Sequence, residues 1–119
     1  MAGKLTTHVL DLSRGKPAVG ILVELWEVVT DNEFTRIQYC YTNEDGRVEK
    51  PLLEGSAMKK GIYELRFYVG DYYHKRRGLP GDSSFLNCVP IRFGISEPAD
   101  HYHVPLLLSP GGYSTYRGS

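Results

Sequence analysis

Short segments in which apolar and polar residues alternate recur along this sequence, and this alternation restricts the fold more than any other feature. In GIYELRFYV, residues 61–69, an apolar or aromatic side chain stands at every second position from Tyr63 onwards. Since successive side chains of a strand point to opposite faces, such a segment forms a strand with one buried face. The same alternation predicts strands over residues 4–11, 21–29, 34–42, 85–93, 101–108 and 113–119. About eight short strands separated by turns favour an all-β fold, a β-sandwich.

The segments between the strands carry turn and helix signals. Residues 13–20, SRGKPAVG, have the composition of a turn. The Asp-Gly pair of NEDGR, residues 43–47, predicts a tight hairpin with Arg47 directly after it. DYYHKRRG, residues 71–78, predicts one short helix, with Asp71 as its N-cap and Gly78 at its C-terminal end.

Two prolines fall inside predicted strands. Pro90 and Pro105 have no N–H group to donate to a neighbouring strand. We therefore expect both strands at sheet edges, or paired so that the missing donor faces outward.

The composition limits what the chain can bind. Its 119 residues predict a single domain spanning residues 1–119. Fourteen Lys and Arg residues balance fourteen Asp and Glu residues, so no overall field attracts nucleic acid or an anionic membrane. No apolar run is long enough to span a membrane. The partner predicted from these features is a small molecule or another protein chain.

The two cysteines, Cys40 and Cys88, show no metal-type spacing and fall within predicted strands. We interpret them as reduced, structural thiols, because cysteine behaves as a small apolar side chain at buried positions. The first residues lack the basic and apolar regions of a secretory signal. A cytoplasmic location is therefore expected.

Histidines and one arginine are the candidate functional residues. His101 and His103 lie on one face of their strand, and two imidazoles can bind zinc, but no third ligand stands at a suitable spacing. We therefore predict no metal site. No GxSxG nucleophile motif and no glycine-rich phosphate loop occurs. His8, Arg47 and His103 each suit an exposed strand position, and they form a site only if the fold brings them together.

Five segments resemble one known family. They are LTTHVLD at 5–11, GKPA at 15–18, TNEDGR at 42–47, HYHVPLLLSP at 101–110 and YSTYRGS at 113–119. Together they resemble the transthyretin-related proteins and, within these, the 5-hydroxyisourate hydrolases. The resemblance runs from Leu5 to Ser119, and the YRGS terminus is its most specific part.

The resemblance implies a transthyretin-like (prealbumin-like) β-sandwich of eight strands with one short helix. It also implies a homotetramer, a dimer of dimers built by strands that pair edge to edge, with active sites in the channel between the dimers. Alternation along the terminal strand would then place Ser114, Tyr116 and Gly118 on one face, towards that channel.

The resemblance further implies a reaction, the hydrolysis of the lactam bond of 5-hydroxyisourate to 2-oxo-4-hydroxy-4-carboxy-5-ureidoimidazoline during urate degradation in purine catabolism. The family's catalytic positions fall on His8, Arg47 and His103. Its substrate-binding positions fall on His8, Arg47, Ser114, Tyr116 and Ser119. A neutral histidine can accept a proton from water, and the arginine can stabilise the oxyanion. We favour His103 as the base, although the sequence leaves the choice between the two histidines open, and no cofactor is implied because water is the nucleophile.

A transthyretin-like small-molecule carrier without catalysis is the alternative. In the hormone carriers of the family, other residues replace the two histidines, the arginine and the YRGS end, so their presence here favours the enzyme. A purely structural interaction module is a third interpretation, disfavoured because it gives the ionisable residues no task. Gly111 departs from the aromatic residue that often follows Ser-Pro in the family, and we expect this to affect tetramer stability and the order of the tail.

Overall fold

The computed structural model describes residues 3–77 and 84–118. Within these ranges the chain forms nine strands, a 3₁₀ turn and one α-helix. In chain order the elements are β1 Lys4–Asp11, β2 Lys16–Pro17, β3 Leu22–Thr30, β4 Glu33–Tyr41, β5 Leu53–Glu54, the 3₁₀ turn Gly55–Ala57, β6 Gly61–Tyr68, α1 Val69–Arg77, β7 Cys88–Ile95, β8 Tyr102–Ser109 and β9 Gly112–Thr115. The prediction of an all-β fold with one short helix is confirmed for the part of the chain described.

The strands form two sheets. One, which we call the β1/β8 sheet, has the order β2-β1-β8-β9, with β5 also paired to β1. The other, the β3/β6 sheet, has the order β4-β3-β6-β7. The β1–β8 pair is parallel and runs in register from Leu5 opposite Tyr102 to Asp11 opposite Leu108. This pair brings the first long strand of the chain directly beside one of its last.

The core lies between the two sheets and is built from the inward side of each alternation. Leu5 and Val9 of β1 are fully buried, as are Val23 of β3 and Phe67 of β6. Burying a side chain of this kind contributes roughly 1.5–3 kcal/mol, so each strand is held with that face inward. The opposite face of β1 and β8 is thereby turned away from the core.

The two prolines have different positions in the sheets. Pro90 lies in β7, an edge strand of the β3/β6 sheet, as predicted. The edge prediction is wrong for Pro105, because β8 lies between β1 and β9.

The missing N–H of Pro105 is accommodated by a break in the β8–β9 ladder. Their register, continued beyond β9, places Pro105 opposite Tyr116, and β9 ends one residue earlier, at Thr115. The Thr115 hydroxyl donates to the Pro105 carbonyl at 2.7 Å. Pairing then resumes at one isolated position, where His103 lies opposite Gly118. The tail therefore stays beside β8, although the predicted strand over 113–119 is interrupted.

The helix α1 begins at Val69, two residues before the predicted start, so Asp71 lies in its first turn rather than at its cap. The predicted terminator, Gly78, lies outside the described residues. The Tyr72 hydroxyl of the helix donates to the buried carboxylate of Asp11 at 2.7 Å. This bond ties the helix to the end of β1.

Two turns differ from their predictions. Residues 13–20 include the two-residue strand β2, which together with the equally short β5 adds to the seven predicted segments and gives nine described strands where about eight were expected. The tight turn predicted at 43–47 forms, with the Gly46 N–H donating to the Asn43 carbonyl at 2.9 Å and Arg47 directly after it. The predicted hairpin is wrong, because Arg47 pairs with His8 of β1 in the other sheet. The turn therefore carries the chain from one sheet to the other.

No helix in the described part of the chain is long and apolar enough to cross a membrane.

Candidate active site

The candidate site lies on the outer face of the β1/β8 sheet, the side turned away from the core. Thr6 and His8 of β1 occupy this face, together with His103 and Pro105 of β8. The register sets Thr6 opposite His103 and His8 opposite Pro105. The two imidazoles are therefore diagonal neighbours on adjacent strands, within reach of one substrate.

The turn over residues 43–46 delivers Arg47 to this face. The side-chain oxygen of Asn43 accepts hydrogen bonds from the backbone N–H groups of Asp45 at 2.9 Å and Arg47 at 3.1 Å. An asparagine that bonds to the backbone a few residues onward stabilises a turn in the same way that a backbone hydrogen bond does. The direction in which the chain leaves the turn is fixed by these bonds.

Gly46 lets this turn approach β1 closely. Its φ is 73°, and its carbonyl accepts a hydrogen bond of 2.8 Å from the Val9 N–H. A Cβ at this position would lie 2.4 Å from the Val9 carbonyl oxygen. Only glycine fits here, and the next residue, Arg47, is thus placed opposite His8.

The surroundings of His8 favour its neutral form. Partial burial is the largest cause that lowers its pKa from the ordinary value of 6.5, and the positive charge of Arg47 lowers it further. The backbone and the charge of Asp45 act in the opposite direction. A neutral imidazole can accept a proton at neutral pH, as a general base must.

His103 experiences the same two effects. Burial lowers its pKa most, followed by the charges of Arg47 and His8, while a hydrogen bond to the backbone of Thr6 acts in the opposite direction. Its Nδ1 also lies 2.9 Å from the Thr6 hydroxyl oxygen. Since each of the three groups acts electrostatically on another, His8, Arg47 and His103 form one cluster.

The tail runs along the edge of this cluster. Ser114 lies opposite Leu107 of β8 and is exposed, and Gly118 donates its N–H to the His103 carbonyl at 2.7 Å. Tyr116, midway between them, has 58% of its surface exposed. The register with β8 matches the predicted alternation for Ser114 and Gly118, while Tyr116 lies at the break between the paired positions. Ser119, also predicted to bind substrate, lies outside the described residues.

The remaining candidates lie apart from the cluster. His101 is exposed, and its carbonyl accepts a hydrogen bond of 3.0 Å from the Arg117 guanidinium. No group of three His, Cys, Asp or Glu side chains able to hold a metal occurs among residues 3–77 and 84–118. Cys40 and Cys88 are both free and half-buried, and burial raises the pKa of each thiol, which disfavours the reactive thiolate.

Sequence reasoning missed Thr6 as part of the site, whereas it placed Gly118 with Ser114 and Tyr116 on the channel side of the tail. Both Thr6 and Gly118 contact His103, Thr6 from β1 and Gly118 from the tail. Alternation places Thr6 on the same strand face as His8, but it carries no information on which strand lies beside β1. The sequence therefore predicted the face of Thr6 and not its contact with His103.

A cleft of about 380 Å³ lies elsewhere, between the edge strands β7 and β9. Phe93, Tyr102 and Tyr116 are among the residues that line it, and neither His8 nor His103 is. The histidine cluster lies on an open sheet face, so a molecule bound there would be enclosed only if another part of the protein or another subunit covered that face.

The fold and the cluster define a two-sheet β-sandwich that carries a histidine and arginine site on the outer face of one sheet. The chain belongs to the HIUase/Transthyretin family, whose model matches residues 5–118. The predicted family and the transthyretin-like fold are thereby confirmed.

Three known proteins are similar to this chain over nearly its whole length. The 5-hydroxyisourate hydrolase of Halalkalibacterium halodurans is 54% identical over 119 residues, which cover 100% of both chains. The structure of Klebsiella pneumoniae 5-hydroxyisourate hydrolase superposes with a TM-score of 0.81 at 35% identity, covering 98% of this chain and 99% of that one. Transthyretin from Sparus aurata superposes with a TM-score of 0.85 at 25% identity, covering 97% and 96%. The backbone therefore fits both kinds of protein, and the sequence is more similar to the hydrolases.

Proposed function

We propose that this protein hydrolyses 5-hydroxyisourate, using His8, Arg47 and His103 as its catalytic groups. The observation that carries the proposal is that the fold brings these three residues, far apart in the sequence, into one cluster. The 54% identity to a protein named as this hydrolase, over the whole chain, supports the choice of substrate.

The proposed reaction adds one water molecule across the lactam bond of the six-membered ring. The water oxygen bonds to the carbonyl carbon, and the carbon–nitrogen bond breaks, with the nitrogen taking a proton as it leaves. The product is 2-oxo-4-hydroxy-4-carboxy-5-ureidoimidazoline, which places the enzyme in urate degradation. Water is the nucleophile and the lactam is activated, so the route requires no cofactor.

His103 is the proposed base that takes the proton from water and returns it to the leaving nitrogen. Its lowered pKa keeps it neutral near pH 7, which is the form that can accept a proton. General acid–base catalysis of this kind typically contributes about 10²- to 10⁴-fold in rate. His8, on the adjacent strand, orients the substrate or shares the proton.

Arg47 is the proposed stabiliser of the oxyanion that forms on the attacked carbonyl. Its guanidinium stays charged and offers a planar set of N–H donors, which suits a flat substrate with several carbonyl oxygens. Its own charge also lowers the pKa of both histidines. Arg47 thus lowers the pKa of the histidine base and also stabilises the negative charge that develops on the carbonyl oxygen.

The tail supplies the proposed substrate-binding groups beyond the cluster. Ser114 and Tyr116 belong to the tail that runs beside β8, and their hydroxyls are the groups proposed to bond to the substrate's ring. We include Ser119 with them, because it completes the YRGS segment.

A homotetramer, assembled as a dimer of dimers with the site at the interface between dimers, is part of the proposal. Thr6, His8 and His103 are only half-buried within one subunit, so the face that carries the site is open surface. A second pair of subunits would cover that surface and supply the wall that the open face lacks. The edge strands β7 and β9 flank one cleft and offer unpaired backbone groups for pairing within each dimer.

A cytoplasmic location completes the proposal. Cys40 and Cys88 are both free thiols. Free thiols are the usual state of cysteine in the reducing cytoplasm.

The proposal is tested by the decay of 5-hydroxyisourate absorbance, with the substrate generated in place from urate by urate oxidase. Arg47→Ala should lower kcat/KM by about 10²- to 10³-fold, as loss of an oxyanion donor does. Arg47→Lys keeps the charge without the planar set of donors, so its kcat/KM should lie between those of Arg47→Ala and the unaltered protein. His103→Asn should lower kcat by about 10²-fold or more.

His101→Asn is the matched control, because the His101 side chain lies outside the cluster and should leave the rate unchanged. Each variant is compared at several protein concentrations with its oligomeric state measured by light scattering. If the unaltered protein gave decay no faster than the spontaneous reaction, the hydrolase proposal would be rejected in favour of the carrier. Binding of a stable purine analogue without turnover would then be the expected result.

A further inference from the structure

The His103 ring is held from the β1 side by Thr6. The two residues lie directly opposite each other in the parallel β1–β8 pair, on the outer face of the sheet. The Thr6 hydroxyl oxygen lies 2.9 Å from Nδ1 of the ring. The edge of the imidazole that carries Nδ1 therefore faces β1.

The opposite edge of the ring faces the tail. A Cβ placed on Gly118 would lie 2.6 Å from His103 Cδ2 and 3.2 Å from its Cγ. The tail backbone is fixed at that distance, because the Gly118 N–H donates to the His103 carbonyl at 2.7 Å. With Nδ1 towards β1 and Cδ2 towards Gly118, the two outer ring atoms, Cε1 and Nε2, point away from the sheet.

The contact with Thr6 bears on which nitrogen carries the proton. The Thr6 hydroxyl can accept a hydrogen bond from a protonated Nδ1 or donate one to an unprotonated Nδ1. The backbone of Thr6 raises the pKa of His103, against the larger effects of burial and of the charges on Arg47 and His8, and this favours a proton on the ring edge that faces β1. On the tail side, Gly118 carries no titratable group.

We propose that Thr6 is a positioning residue for His103, and that Thr6 and Gly118 form a slot that fixes the ring with its proton on Nδ1. Nε2 is then the basic atom, and it points into the site. A histidine whose second nitrogen is bonded to a fixed acceptor holds one tautomer, and a base in the wrong tautomer cannot take a proton. The kinetic consequence of this inference rests on the proposed hydrolase function, whereas its spectroscopic consequence does not.

The direct test is ¹⁵N NMR of the histidine rings in the whole protein, assigned with His103→Asn. Above its pKa, His103 should show a protonated Nδ1 and an unprotonated Nε2. In Thr6→Val, which keeps the branched shape and removes the hydroxyl, the two tautomers should mix and the pKa of His103 should fall further. Thr6→Ser should behave as the unaltered protein does. A spectrum of the unaltered protein with Nδ1 unprotonated would overturn the proposal.

Kinetics provides a second test. Thr6→Val should lower kcat by about 10-fold with KM within twofold, a smaller loss than removal of the base because the imidazole itself remains. The acidic limb of its pH–rate profile should move to lower pH, and Thr6→Ser should restore both values.

Thr7→Val is the matched control. The Thr7 hydroxyl donates to the Val104 carbonyl at 2.7 Å in the same strand pair, but on the buried side. If Thr7→Val lowered kcat and shifted the pKa of His103 as much as Thr6→Val, the role of Thr6 would be only structural. If the unaltered protein failed to hydrolyse substrate while the NMR results held, the proposed function would fail and the positioning of His103 would stand.

Discussion

Replacing Gly118 by alanine tests the geometry of the site most sharply. The added Cβ would lie 2.6 Å from His103 Cδ2, whereas carbon atoms in contact are separated by about 3.5–4.0 Å. Either the ring or the tail must therefore move by roughly 1 Å. A displacement of this size at a catalytic group can cost about 10²-fold in rate. We expect Gly118→Ala to lower kcat by about 10²-fold.

The backbone of Gly118 gives no other reason for such a loss, because its φ lies outside the left-handed region that disfavours alanine. Gly111→Ala is the matched control in the same terminal segment, since a Cβ there would meet no atom within 4 Å. The assay is the initial rate of 5-hydroxyisourate decay for both variants, with folding followed by circular dichroism. A folded Gly118→Ala protein with kcat within twofold of the unaltered chain would refute the close approach of tail and ring.

Two further predictions follow from the same site. The pKa values of His8 and His103 are lower in the folded state than in the unfolded chain, so the unfolded chain binds protons more readily. These two histidines should therefore leave the free energy of unfolding unchanged above about pH 6.5 and lower it as the pH falls below that value. Urea unfolding at pH 7.5, 6.0 and 5.0 should show this fall, and a variant with Asn at both positions should show less of it. Gly46→Ala should lower kcat/KM at least about 10-fold and the free energy of unfolding by roughly 1–2 kcal/mol, because its Cβ meets the Val9 carbonyl and displaces Arg47. Unchanged kinetics in a stably folded Gly46→Ala protein would contradict the placement of that turn.

The faces of the strands could be predicted from the sequence, because burial acts on every second residue of a strand. Leu5 and Val9 on β1 are buried, as their alternation required, and His8 between them is turned outward. Strand neighbours could not be predicted in the same way. The pairing of Thr6 with His103 joins residues 97 positions apart, and local patterns carry no record of such a contact.

Proline shows the same limit. Pro105 has no N–H to donate, and of the two consequences expected from this, the edge position is wrong. A missing donor can be tolerated by an edge strand or by a break in the neighbouring strand. Here the chain uses the break, with the Thr115 hydroxyl bonded to the Pro105 carbonyl. Only the order of strands in the sheet decides between the two, and that order depends on long-range contacts.

The position of the cluster explains why one backbone serves two kinds of protein in this family. His8 and His103 stand on the outer face of their sheet, opposite the side that packs in the core, and Arg47 stands on a turn. Their replacement would leave the buried side chains, and hence the fold, almost unaffected. Under the proposed function, catalysis can therefore be gained or lost without repacking the sandwich. A TM-score of 0.85 to a transthyretin accordingly carries no weight for or against turnover. The support for an enzyme is the sequence similarity to named hydrolases, and the substitutions that test the proposed site fall on its outward-facing residues.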